Sequence, residues 1–122
     1  IPPAQLNRVV RAHYLLRHQS VFVDAADLLE AGEVPSALFQ AREALAASAG
    51  ALAAARGVPV VNAKWIFRGL ARSLREDHPL VKEFWTRQTE VGAPLEKHVQ
   101  DLLRLSQTLV TESEREGEGA GG

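Results

Sequence analysis

Proline and glycine divide this chain at helix-length intervals, and that punctuation constrains its fold more than any other feature. Pro3 opens a first segment and Gly32 closes it; Pro35 opens a second and Gly57 ends it; Pro79 opens a fourth, stopped by Gly92, and Pro94 opens a fifth. Proline suits the first turn of a helix, where its missing N–H costs nothing, and glycine suits the position just past a helix end. The expected helices therefore run from Ala4 to about Ala31, from Pro35 to Gly57, from Asn62 as N-cap to about Glu76, from Leu80 to Val91 with Asp77 or His78 as cap, and from Pro94 to about Glu114. Val58 to Val61 reads as an extended connector.

Composition agrees. Ala, Leu, Arg and Glu dominate, which favours helix. The β-branched runs Val21-Phe22-Val23 and Val58-Pro59-Val60-Val61 are too isolated to build a sheet. At 122 residues the chain suits one domain with a modest core. The expected division is one helical domain over residues 1–113 and a disordered, acidic, Gly-rich tail over 114–122, which has no apolar residue larger than Ala. There is no Cys, which excludes disulfides and thiolate metal sites and fits a reducing, cytoplasmic setting. No apolar run approaches membrane-spanning length, so no membrane association is expected. The N-terminus lacks the pattern of a signal peptide, and a first residue of Ile fits a trimmed chain or a piece of a longer one.

Each segment carries an apolar stripe. The first has Val10, Tyr14, Val21, Ala25, Leu28 and Leu29. The second is apolar on two sides, one with Leu38, Ala41, Leu45, Ser48 and Leu52, the other with Phe39, Ala46, Gly50 and Ala53, as expected of a helix packed closely between neighbours. The fourth offers Leu80, Val81, Phe84 and Trp85, with Trp85 expected in the core; the fifth offers Leu95, Val99, Leu102, Leu103, Ser106, Leu109 and Val110. Short connections favour antiparallel neighbours. The fold expected is all-α, an antiparallel up-and-down bundle of four to five helices.

The third segment is the richest in chemistry. At about 100° per residue, Ile66, Phe67, Leu70 and Leu74 share one side, and Lys64, Arg68, Arg72 and Arg75 the other, with Trp65 at the edge. From Arg56 to Arg75 there are five cations and no acid, in a chain whose formal charge is only −1. A cation cluster beside an exposed indole suits phosphate or nucleotide binding. A solvated helix face accounts for the same residues. Trp65 would stack on a base, or pack against the first helix or a second subunit.

Two textures carry a resemblance. Asp24-Ala25-Ala26-Asp27-Leu28-Leu29-Glu30-Ala31-Gly32 leads into Ala37-Leu38-Phe39-Gln40-Ala41-Arg42-Glu43-Ala44-Leu45, and Arg56-Gly57-Val58-Pro59 leads into Lys64-Trp65. Together, over about Val21 to Leu109, they resemble the helical domain that follows the catalytic domain in many small nucleotidyltransferases, the kanamycin-nucleotidyltransferase C-terminal type, within the broader HEPN group. The resemblance implies a module that helps bind substrate or nucleotide beside a nucleotidyltransferase catalytic domain or subunit. The partner's own chemistry is absent: no Gly-Ser pair precedes Asp24 and Asp27, which read as surface residues.

Some HEPN proteins are ribonucleases with Arg, four to six residues, then His, and Arg72 to His78 fits that spacing, with Ser73 where Asn is often found. The resemblance implies metal-independent RNA cleavage in a dimer, His78 moving the proton and Arg72 stabilising the phosphorane. His78 also precedes Pro79 and suits a helix cap. Arg11 and His18 project into the first helix's apolar arc with Asn7 nearby; they line a polar pocket facing the third helix, or snorkel outward on a rotated helix. His13 and His98 lack partners at metal-ligand spacing, so no metal or other cofactor is expected. The leading expectation is a non-catalytic binding module for a nucleotide-like or anionic ligand or a catalytic partner, with Arg56, Lys64, Trp65, Arg68, Arg72, Arg75, Arg11 and His18 as binding residues. The alternatives are the Arg72/His78 ribonuclease and a structural domain dimerising through Phe39, Ala46, Gly50 and Trp65. A homodimer is expected, and nucleotide or RNA is the candidate ligand.

Overall fold

The computed structural model describes residues 1–121, with side chains through Glu116. It is an all-α antiparallel bundle: α1 (Pro3–Glu30), α2 (Val34–Ala55), a 3₁₀ turn (Ala63–Trp65), α3 (Ile66–Leu74), α4 (Pro79–Thr89) and α5 (Leu95–Gly121). Both early glycine stops work as expected. Gly32 and Gly57 take φ of 81° and 89°, a left-handed conformation that glycine adopts without a Cβ clash. The following amides then reach back, Glu33 N–H to Leu28 O at 2.9 Å and Val58 N–H to Ala53 O at 2.8 Å, which satisfies carbonyls the helix ends would leave open.

Three helix C-termini differ from expectation. α3 stops at Leu74, not Glu76, because Arg75 leaves helical geometry with φ of 98°. α4 stops at Thr89, because Glu90 is extended. α5 continues past Glu114, supported by pairs from Arg115 to Glu112 and from Arg56 to Glu116. The expected tail therefore begins inside a helix, and the side chains of 117–122 lie outside the described residues. Among the described residues no helix is long and apolar enough to cross a membrane.

α2 is the central helix, with α1, α3 and α5 packed around it. Every residue from Ala47 to Ala54 is buried. Small side chains make this possible, since they let three neighbours approach one helix. Gly50 is the extreme case: a Cβ there would lie 2.7–2.8 Å from carbons of the Tyr14 ring. The larger core residues, Leu45, Leu52, Leu70, Leu102 and Leu109, fill the remaining volume. Each fully buried aliphatic side chain contributes about 1.5–3 kcal/mol. Ser48, Ser106 and Ser113 are buried without penalty because each hydroxyl donates to the carbonyl three residues earlier.

Trp85 corrects the sequence reading: it is 54% exposed, not core. Val81 and Phe84 take the inward side of α4, and a residue one step on points about 100° away. Trp85 instead lies against Phe67, ring centroids 5.0 Å apart. Polar ties hold α4 in place. Arg42 donates to Gln88 O at 3.2 Å and Gln88 donates back to Arg42 O at 3.0 Å. Asp101, buried on α5, meets Arg87 of α4 at 3.3 Å, Lys97 at 3.2 Å and Arg104 at 3.2 Å. Burial pushes the Asp101 carboxyl up, but the Lys97 hydrogen bond and the charges of Lys97, Arg87 and Arg104 outweigh it and hold it below its usual value.

Two histidines are buried in the bundle. His18 meets Ser106 Oγ at 2.9 Å; the serine proton already serves Leu103 O, so His18 Nε2–H is the donor. His98 is 2% exposed and neither ring nitrogen has a partner among the described residues. Burial lowers both pKa values, and at His98 Arg87 and Arg42 add to the effect while Asp101 opposes it.

Two outcomes are expected. Gly50→Ala should destabilise the fold by about 1–3 kcal/mol in urea denaturation, because the new methyl must displace the Tyr14 ring. The folded chain also resists protonating His18 and His98 more than the unfolded chain does. Stability should thus be full above the ordinary histidine pKa of about 6.5 and fall as pH drops through and below it. Urea midpoints at pH 7.5, 6.5 and 5.5 measure that slope, and His98→Leu should flatten it.

Candidate functional site

The candidate site is an open groove where the α2–α3 connector meets α3. Val58 to Val61 form its floor with Asn62, Gly69 completes it, and Trp65, Arg68 and Arg72 form the wall, around a volume of about 430 Å³. Local sequence explains each part. Past the Gly57 stop the chain is neither helix nor strand, and the buried Val60 anchors it. The Tyr14 hydroxyl donates to Val60 O at 2.6 Å. Gly69 lets Val60 approach α3: a Cβ at Gly69 would collide with Val60 Cγ2.

Asn62 turns the chain. Its side-chain oxygen accepts from Lys64 N–H at 3.1 Å, and its carbonyl from Trp65 N–H at 3.0 Å. It caps the 3₁₀ turn that leads into α3, where the sequence suggested the cap of α3 itself. α3 then buries Ile66, Gly69 and Leu70 against the bundle, so Arg68 and Arg72, four residues apart, face out together.

The electrostatics are one-sided. The Trp65 indole is 49% exposed. Lys64 Nζ lies 5.6 Å from its ring centroid and Arg68 Cζ 5.3 Å, both within cation–π range. Among the described residues no carboxylate pairs with Lys64, Arg68 or Arg72. Like charges at this helical spacing repel by a few tenths of a kcal/mol. The arrangement offers a flat apolar surface and undischarged cations, suited to a planar ring bearing negative charge.

The other sequence candidates separate from this group. Arg56 is engaged elsewhere: its Nε donates to Ser73 O at 2.9 Å and its Nη1 pairs with Glu116 at 2.6 Å, tying the end of α2 to α3 and α5. Arg75 ends α3 and turns to Asp77 at 3.7 Å. His18 faces Ser106 of α5 rather than α3, so the expected pocket between α1 and α3 does not form around it. Arg11 is half-buried, its Nε has no partner among the described residues, and it does not line the groove. His78 Nδ1 accepts from Leu80 N–H at 3.0 Å, which makes it the α4 cap, and it does not line the groove that holds Arg72. The proposed dimer seam is broken as well, since Gly50 lies beneath Tyr14 of the same chain and only Phe39 and Trp65 are well exposed.

The sequence reading missed the connector backbone and Gly69. A glycine in the middle of a helix signals a close backbone approach, and it was legible as such. Among the described residues, no three His, Asp or Glu side chains come together as a metal site requires. Comparison with protein-family models, curated proteins and solved structures finds no match to this chain.

Tyr14→Phe tests how the groove floor is held. Losing the hydroxyl leaves Val60 O without its partner, which should cost about 1–3 kcal/mol in urea denaturation. Amide exchange at Lys64 and Trp65, whose N–H groups bond to Asn62 at the end of the connector, should quicken more than exchange in α5.

Proposed function

We propose that this chain is a non-catalytic helical binding module that accepts an anionic, nucleotide-like ligand in the Trp65 groove, acting beside a nucleotidyltransferase-type catalytic partner. The observation that carries the reading is the exposed Trp65 face with Lys64 and Arg68 against it and Arg72 beyond, none of them neutralised by a described carboxylate. A base stacked on such an indole gains about 1–3 kcal/mol. Arg68 and Arg72 would take the phosphates, since a guanidinium presents paired donors to two anionic oxygens. The catalytic partner enters through the resemblance of residues 21–109 to the nucleotidyltransferase-associated HEPN bundle, and the all-α fold is compatible with it.

Catalysis by Arg72 and His78 has less support. A ribonuclease needs both groups facing one cleft, and here His78 caps α4 outside the groove.

The test uses a Trp85→Phe background, which leaves Trp65 as the single indole. ATP should quench its fluorescence saturably, and inorganic tripolyphosphate should bind with a smaller change. Arg68→Glu with Arg72→Glu should weaken ATP binding at least about tenfold, the loss of even one charge-assisted contact, with an unchanged thermal midpoint. A folded parent that ATP does not quench would sink the reading. Unfolding of the double variant would mark the arginines as structural. RNA cleavage in EDTA that is lost in His78→Ala would assign the ribonuclease instead.

A further inference from the structure

A second hollow lies between α3 and α4, on surface that the Trp65 groove does not use. Phe67 and Trp85 form one aromatic surface there, with ring centroids 5.0 Å apart. The buried Val81 joins them, and Glu76, Lys82 and Thr86 complete the lining, around a volume of about 530 Å³. Small-molecule sites span roughly 300–1,000 Å³. The backbone explains the hollow. α3 ends at Leu74, Arg75 turns the chain with φ of 98°, and His78 caps α4, so Glu76 stands in the turn between the two helices. Lys82, Trp85 and Thr86 are three and four residues apart on α4 and share one face of it.

The polar groups of this hollow differ from their neighbours. Close by in the chain, charges are matched: Arg75 pairs with Asp77 at 3.7 Å and Arg87 with Glu83 at 4.0 Å. Thr89 and Thr108 donate their hydroxyls to carbonyls four residues back. Among the described residues, no ion pair engages Glu76 or Lys82, and the Thr86 hydroxyl makes no such bond to its own helix. A carboxylate and an ammonium thus line one hollow without meeting each other. Between them Trp85 is left 54% exposed, in contact with a second ring. The hollow therefore offers a flat apolar surface together with one unmatched charge of each sign.

The geometry points to a binding site in this hollow for a free aromatic α-amino acid. Its ring would lie on Trp85 and Phe67, where aromatic pairs gain from offset or edge contact as well as from burial. Its carboxylate would meet the Lys82 ammonium and accept from the Thr86 hydroxyl, and its ammonium would meet Glu76. A zwitterion matches both charges at once. A purely anionic ring would leave Glu76 unmatched, and a purely cationic one Lys82. An aromatic residue inside a peptide carries neither α-charge, so the same chemistry selects the free amino acid. The hollow shares no residue with the Trp65 groove, so this inference stands apart from the nucleotide reading.

The experiment uses a Trp65→Phe background, which leaves Trp85 as the single indole and lets its fluorescence read this hollow. L-Phenylalanine, which does not absorb where indole is selectively excited, should change the emission saturably. N-acetyl-phenylalaninamide, with the ring and neither charge, should bind more weakly, and ATP should leave the emission unchanged. Lys82→Gln should weaken phenylalanine and 3-phenylpropionate about two- to fivefold, the effect of one exposed ion pair, and spare phenethylamine. Glu76→Gln should weaken phenylalanine and phenethylamine to a similar degree and spare 3-phenylpropionate. Both positions are exposed, so helical circular dichroism should be retained in each variant. A folded parent whose emission phenylalanine does not change would overturn the proposal. Equal binding of phenylalanine and N-acetyl-phenylalaninamide would overturn it too, by reducing the hollow to an apolar surface. A saturable change with ATP would assign the hollow to a nucleotide instead.

Discussion

Tyr14 joins the core to the groove. Its ring lies on Gly50 at a distance no Cβ would tolerate, which sets how closely α1 approaches α2. Its hydroxyl, 2.6 Å from Val60 O, then holds the connector that leaves α2. That connector carries Val60 into contact with Gly69, so the position of α3 also follows from it. Two glycines and one tyrosine thus link three helices through steric fit and one buried hydrogen bond. Burial pushes the Tyr14 pKa up, which keeps the hydroxyl protonated as a donor.

The cations of the third segment show how tertiary structure sorts residues that look alike in sequence. Arg56 and Arg75 are neutralised locally, by Glu116 and Asp77, and Arg56 also donates to Ser73 O. Lys64, Arg68 and Arg72 have no such described partner and stand around Trp65. Charge retained without neutralisation at a groove is free to meet a ligand. Charge spent on a helix end is part of the frame. The same sorting separates His18 and His98, buried among packed helices, from His78, whose ring nitrogen closes the first turn of α4.

α4 illustrates a different balance. It is short, and Trp85 remains exposed, so apolar burial alone holds it less firmly than the long helices. The reciprocal Arg42–Gln88 bonds and the Asp101 cluster supply directional ties to α2 and α5. Of this cluster only the Asp101 carboxylate is buried, and the cations around it are what offset its desolvation.

Helix number, order and approximate limits followed from local chemistry. Proline and glycine act through their own φ preferences, so Gly32 and Gly57 ended helices as their positions implied. The inward stripes of α1, α3 and α5 were legible for a similar reason, since a helix repeats every 3.6 residues whatever surrounds it. The outward direction of Arg68 and Arg72 followed from the same period. What depended on neighbours was not legible. Trp85 and Phe84 are equally apolar in sequence, and only the packing of α4 against the bundle decided which was covered. Arg11 and His18 share a helix face with core residues, yet the groups across from them, such as Ser106, come from a segment 88 residues away. The groove itself is a tertiary product: its wall was visible as a basic, aromatic helix, but its floor exists because Val60 and Gly69 fit together.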